Sequence, residues 1–367
     1  MAIFIIMFVL VILLVQYYSK RNALKGIKYD YRFSKKLIEI NEPTELISTI
    51  TNESHRFVPF IRMDEAFPKG VKPLNKNVFV REDTMGLGYL HYDSTIYLMA
   101  RSKLQRKLKL TFEQRGLYVF GGAILHGGDF LGFTEKRDKF HEFREIVVYP
   151  KAIEASQLQQ IMGGFLGDIS VRRFIMEDPV LTIGTREYTG REPLKQISWK
   201  HTARTNQMMV KQFDYTTEMV VTVFLDTSAV KGKTITPNQF ESCFSLGRTV
   251  CQYLEHKKIP FKFITNAIIG GVEIEHKQVV QSLGKAHLRG ILEKLGRAIY
   301  GATESYESMI NNLIINQEKN RSTIIITPQR DKMKEQQAER LKETTTGIVL
   351  LIYGEDFEER GVEDDVS

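Results

Sequence analysis

Seven consecutive residues, Met219 to Leu225 (MVVTVFL), constrain the fold of this chain more than any other stretch. They are almost unbrokenly apolar and rich in β-branched side chains, which predicts a strand buried on both faces, as in a parallel sheet. Such a strand needs helices above and below it. A helix is predicted from Pro237, where Thr236 can cap, Pro237 suits the first position and Gln239 completes a capping box. Its apolar stripe is Phe240, Cys243, Phe244, Gly247, Cys251 and Leu254. Further strands are expected at Pro260 to Thr265, Thr323 to Thr327 and Gly347 to Tyr353, with helical stretches between. This alternation predicts a doubly wound α/β sheet over residues 218–355.

Upstream the texture differs. Ile27, Tyr29, Tyr31 and Phe33 alternate with Lys28, Asp30 and Arg32, as one half-buried strand face requires. Leu108, Leu110 and Phe112 alternate with Lys107, Lys109 and Thr111 in the same way. Turn signals at Asn41-Glu42-Pro43, Pro68-Lys69-Gly70 and Gly86-Leu87-Gly88 punctuate the stretch. Many short strands of this kind predict a β-sandwich domain over residues 20–150. Residues 151–217 read as a connector with a helical stretch near Ser156 to Phe165, and 356–367 as a loose acidic tail.

Ala2 to Val15 is an apolar run of fourteen residues. With Gln16, Tyr17 and Tyr18 it reaches the lower edge of the length of a membrane span. The tyrosines suit an interfacial belt, and Lys20, Arg21, Lys25 and Lys28 form a positive flank. A cleaved signal peptide would need a basic segment before the run and small residues after it. The expectation is therefore a single-pass anchor over residues 1–19 that contacts membrane lipid and leaves the C-terminal body in the cytoplasm.

The formal charge of +7, from 51 basic and 44 acidic residues, is too small to argue for nucleic acid. Two cysteines exclude a disulfide scaffold. Cys243 and Cys251 lie about 12 Å apart along the predicted helix, too far to pair, and read as core filling. Gly232-Lys233-Thr234 lacks the upstream glycine of a phosphate loop, where Thr227 stands. Gly86-Leu87-Gly88 lacks the third glycine of a dinucleotide loop. The histidines have no metal-binding spacing, and no Gly-x-Ser-x-Gly elbow is present. The run from Arg330 to Glu343 mixes its charges and reads as a solvated helix face.

Two features remain. Asp226-Thr227-Ser228 follows the buried strand, at the end where open α/β sheets bind ligands. Asp226 and Ser228 could present hard oxygens to Mg²⁺, although Val230 stands where a third ligand would be expected. The other reading is that both side chains satisfy backbone donors in the turn. The second feature is Arg186 to Thr205, with Arg186, Tyr188, Gly190, the chain's only Trp at 199, and Arg204. It reads either as a clasp that pins the segment against the sheet or as a surface for an anionic ligand or partner protein. Trp is usually buried, which favours the clasp.

This segment resembles the signature of the bacterial domain of unknown function 58 family, an Arg-x-Tyr-x-x-Gly-Asp element followed by Arg-x-Ile-x-Trp and Ala-Arg. The corresponding residues here are Arg186, Tyr188 and Gly190, then Lys195, Ile197 and Trp199, then Ala203-Arg204. The strand ending in Leu225-Asp226-Thr227-Ser228 follows, as in the family. Arg115-Gly116-Leu117-Tyr118, Gly128-Asp129-Phe130-Leu131-Gly132-Phe133 and Val147-Val148-Tyr149-Pro150 are also similar to it. The resemblance implies a β-sandwich before a von Willebrand factor A-like domain on a membrane anchor, with a MoxR-type AAA+ ATPase as partner. It also implies departures: Arg191 holds the acidic position with Glu192 one place later, Val230 interrupts the Asp-x-Ser-x-Ser metal pattern, and Asp331 is the nearest acid after Thr327-Pro328. The function expected is a membrane-anchored, non-enzymatic scaffold or adaptor. The alternative is a metal-dependent enzyme using Asp226 and Ser228.

Overall fold

The computed structural model describes residues 24–74, 80–82, 89–128, 135–154, 182–190, 192–213, 220–271, 279–316, 321–345 and 347–357, with scattered residues in 4–17 and 156–168. Most of the N-terminal run, Asp129 to Phe133, Arg191, Met219 and residues 358–367 lie outside the described set. The chain forms two compact units, residues 1–151 with 270–272, and residues 152–269 with 273–367.

From Ile27 to Tyr149 the described regular elements of the first unit are all β-strands. Its strands are β1 (Ile27–Phe33), β2 (Leu37–Glu39), β3 (Thr44–Asn52), β4 (Val58–Pro68), β5 (Val71–Pro73) and β6 (Val80–Glu82). They continue as β7 (Tyr89–Leu98), β8 (Lys103–Phe112), β9 (Gly116–Phe120), β10 (Ala123–Gly128), β11 (Glu135–Phe140) and β12 (Arg144–Tyr149). The sheets run β1-β3-β8-β5, β11-β10-β4-β7-β6 and β2-β12-β9. Their pairs are antiparallel except β2 with β12. Strand β1 alternates buried and exposed residues along its whole length, and its inward side chains share one core with Leu46, Met63, Leu110, Phe120 and Leu125 from the other strands. Period-two patterning therefore does here what one solvated sheet face requires. A buried carboxylate interrupts that core. Glu65 accepts from Tyr29 Oη at 2.6 Å and Ser48 Oγ at 2.8 Å, and pairs with Arg106.

The second unit is mixed α/β. A hairpin of β13 (Thr182–Glu187) and β14 (Met209–Phe213) encloses helix α1 (Trp199–Thr205). The main elements follow: β15 (Val221–Leu225), α2 (Pro237–His256), β16 (Phe261–Thr265), β17 (Ala267–Ile269), β18 (Val279–Ser282) and α3 (Lys285–Arg297). The chain then forms β19 (Ala298–Ala302), α4 (Tyr306–Asn316), β20 (Ser322–Thr327), α5 (Lys332–Thr344) and β21 (Val349–Tyr353). The central sheet has the order β18-β16-β15-β20-β21, parallel except for the β16–β18 pair.

Strand β15 is buried at every residue because helices cover both faces. Val221, Val223 and Leu225 meet α2 and α3 on one side, while Phe224 meets Tyr306 and Ile310 of α4 and Ala338 and Leu341 of α5 on the other. The capping box on α2 forms as its sequence dictates: Gln239 N donates to Thr236 Oγ1 at 3.2 Å, and Thr236 N donates to Gln239 Oε1 at 3.1 Å. Cys243 and Cys251 are free and buried in the same core.

Three expectations are corrected. Among the described residues, no helix is long and apolar enough to cross a membrane, so the single-pass anchor over residues 1–19 is not supported. The apolar run stops at fourteen residues, short of the roughly 20 that a helix needs to span the hydrocarbon layer. The cytoplasmic placement and the lipid contact rested on that anchor and fall with it. Second, the acidic stretch after β21 is tethered where it starts: Arg330 Nη2 donates to Asp356 at 2.7 Å and Arg330 N to Glu355 at 3.0 Å. Third, α5 is no uniformly solvated helix, since Lys334, Ala338 and Leu341 are buried.

Candidate functional site

The carboxyl ends of three adjacent parallel strands converge on one carboxylate. Strand β15 sits centrally, and the chain leaves it first for β16 on one side and later for β20 on the other. This order makes the gap between β15 and β20 the topological switch point, where open α/β sheets hold their ligands. Asp226 follows β15, Asn266 follows β16, and Thr327 ends β20.

Asp226 is 0% exposed. Its Oδ1 accepts from Ser228 N at 2.9 Å, Ser228 Oγ at 2.6 Å and Asn266 Nδ2 at 2.8 Å. Its Oδ2 accepts from Thr327 Oγ1 at 2.8 Å and from Lys334 Nζ at 2.7 Å. Asn266 in turn accepts from Thr227 N at 2.8 Å and donates to Glu304 O at 3.1 Å, so its amide is fixed from both ends.

Lys334 is 4% exposed and completes the centre. Its ammonium donates to Asp226 Oδ2, to Ser228 O at 2.8 Å and to Thr327 Oγ1 at 2.9 Å, using all three of its protons. The Tyr306 ring lies 5.4 Å from Nζ, and Tyr306 Oη donates to Lys334 O at 3.2 Å. Burial, and then the charge of Asp226, push the Tyr306 hydroxyl up from its ordinary value. The same two causes raise the Cys243 thiol.

A carboxylate offers about four lone-pair positions, and five donors already reach this one. One of those donors is a fixed cation. These residues therefore do not fit a divalent ion held by Asp226 and Ser228. Ser228 is turned onto Asp226, whose Oδ1 takes up the Ser228 backbone donor in the turn. Asp331 does not join the centre and occupies the N-cap position of α5. Sequence reasoning missed Asn266, Thr327 and Lys334. For Lys334 a signal existed, because it shares the i, i+4, i+7 face with Ala338 and Leu341.

The Arg/Trp segment is arranged differently from the expected clasp. Trp199 begins α1 and is 66% exposed, and Leu194 and Met208 are 68% and 41% exposed. What anchors the segment is Ile197, buried and bridged to Val210, with Ser198 N donating to Met209 O at 2.7 Å. Tyr188 N donates to Met208 O at 2.8 Å. Arg186 pairs with Glu192 at 2.6 Å. Glu192 also accepts from Thr189 Oγ1 at 2.8 Å, and these contacts, the Thr189 hydroxyl first, hold its carboxyl down at about 2. The acid that the resemblance expects one place earlier is thus replaced by one that closes a turn through Gly190. Gly190 takes φ +87°, a conformation that costs residues with a Cβ. Arg204 is exposed, in the last turn of α1.

Neither a family model nor a curated protein matches this chain. Among solved structures, the CARDB domain of a Pyrococcus furiosus protein is similar at TM-score 0.22 and 14% identity, covering 33% of this chain and 91% of that one. A cohesin module of a Clostridium perfringens family 33 glycoside hydrolase is similar at TM-score 0.24 and 14% identity, over 34% and 96% of the two chains. A type II cohesin domain from the cellulosome of Acetivibrio cellulolyticus is similar at TM-score 0.25 and 9% identity, over 33% and 95%.

Proposed function

We propose that this chain is a non-enzymatic scaffold or adaptor that binds a protein partner through the segment around Trp199. In this reading the chain is a relative of the domain of unknown function 58 family, and its second unit is a von Willebrand factor A-like domain. The partner is then a MoxR-type AAA+ ATPase. The observation that carries the reading is the exposure of Trp199, 66% on a short helix whose neighbours Leu194 and Met208 are also exposed. Trp is the side chain most enriched among interface hot spots. From Pro193 to Met208 the segment contains Lys195, Lys200 and Arg204 and no acid. The matching surface is an apolar pocket with an acidic rim.

The metal-dependent enzyme is the weaker reading, because Lys334 and four further donors engage the carboxylate it would use. Calorimetry of the full chain against a purified MoxR-type ATPase from the same organism tests the proposal. Trp199→Ala is expected to cost about 2 kcal/mol, roughly 30-fold in affinity. No binding by the native chain, or binding unchanged in that variant, would overturn it.

A further inference from the structure

We infer that Lys334 is a resident cation at the switch point of the sheet, occupying the place of a divalent metal ion and making the centre indifferent to Mg²⁺ and Mn²⁺. The three oxygens its ammonium contacts are a carboxylate, a hydroxyl and a backbone carbonyl, contributed by Asp226, Thr327 and Ser228. That set is the hard-oxygen chemistry of a Mg²⁺ or Mn²⁺ site. The ammonium satisfies it instead, at 2.7 to 2.9 Å, from a side chain that reaches in from α5.

Helix α5 itself gives no reason for a cation there. Lys334 lies in its first turn, where the helix dipole favours negative charge. Burying an ammonium at that position is tolerated because the crevice supplies an anion and two further acceptors. The loop supplies no further side-chain ligand, since Val230, two residues after Ser228, has an aliphatic side chain. Among the described residues, no group of three or more His, Cys, Asp or Glu side chains is placed to hold a metal ion. One charge from the protein has taken over the electrostatic work of an ion from solution.

The test is Mn²⁺ binding to the full chain, followed by loss of the free-ion paramagnetic resonance signal. The native protein is expected to bind no Mn²⁺ that depends on Asp226. Lys334→Ala removes the ammonium and lets the Thr327 hydroxyl turn its proton off Asp226 Oδ2, so that Oδ2, Thr327 Oγ1 and the Ser228 carbonyl face a space that water and one ion can fill. It is expected to gain a Mn²⁺ site in roughly the millimolar range of weak oxygen-ligand sites. Adding Asp226→Asn to that variant is expected to abolish the gain. Lys334→Met, which keeps the aliphatic stem in the crevice, is expected to gain nothing. An Asp226-dependent site in the native chain, or a folded Lys334→Ala protein without any gain, would overturn the inference. If Lys334→Ala does not fold, the native titration decides: a site lost in Asp226→Asn refutes the resident cation, and no such site upholds it.

Discussion

Lys334→Met leaves Asp226 fully buried with its charge uncompensated. The variant loses three hydrogen bonds from the ammonium, while the carboxylate keeps the four donors from Ser228, Asn266 and Thr327. Breaking a buried pair by removing one partner costs about 3–5 kcal/mol. The remaining donors place the expected value near the lower end, about 3 kcal/mol. Asp226→Asn strands the ammonium among Thr327, Ser228 and the Tyr306 face and is expected to cost a similar amount. The double variant carries no buried charge, so its cost should fall well below the sum of the singles, with a coupling of about 2–3 kcal/mol. For a unit of this size, about 3 kcal/mol corresponds to a fall of roughly 6–12 °C in melting temperature. Urea unfolding followed by the helical circular dichroism signal reports on the second unit, where α1 to α5 lie. A single-variant cost below about 1 kcal/mol, the size expected of an exposed pair, would refute the reasoning. So would strict additivity of the two substitutions.

Glu192, held at about 2 against an ordinary 4.5, contributes stability that is complete above pH 4.5 and is lost as pH falls through about 2. Carboxyl titration by NMR should therefore show a midpoint near 2, moving toward 4.5 in Thr189→Val, whose hydroxyl is the leading cause; an unchanged midpoint in that variant would remove the explanation. Burial raises the thiols of Cys243 and Cys251, so a thiol-specific reagent should label neither until the second unit unfolds. Stoichiometric labelling of the native chain within minutes would show that this core opens far more readily than its burial implies.

The elements were most legible where local patterning and tertiary burial agree. Alternation in Ile27–Phe33 could satisfy only a strand with one wet face, and the Thr236-Pro237-x-Gln239 spacing could satisfy only a helix start. Val221–Leu225 was readable for the opposite reason, because an apolar run too short for a helix must be covered on both sides. The site was less legible because its members are joined by topology. Asn266 and Thr327 stand 40 and 101 residues from Asp226 in sequence and meet it only because β16 and β20 flank β15.

Trp199 and Lys334 ran against their residue averages in opposite directions, the aromatic outward and the ammonium inward. For Lys334, counting charge along Arg330 to Glu343 hid what helical spacing contained: at i, i+4 and i+7 with Ala338 and Leu341 it lies on the buried stripe of α5. A lysine on such a stripe is stable only opposite an anion, and the fold places one buried carboxylate within its reach, Asp226 at the end of β15. The same requirement gives Asp226 and Ser228 a role that needs no third side-chain oxygen at position 230. The carboxylate here serves to seat a side chain, and Ser228 contributes by orienting it and by lending its own carbonyl to the ammonium. Trp199 makes the opposite choice: it stands outward at the start of α1, 66% exposed, and in the proposed partner-binding reading it is the side chain that makes the contact.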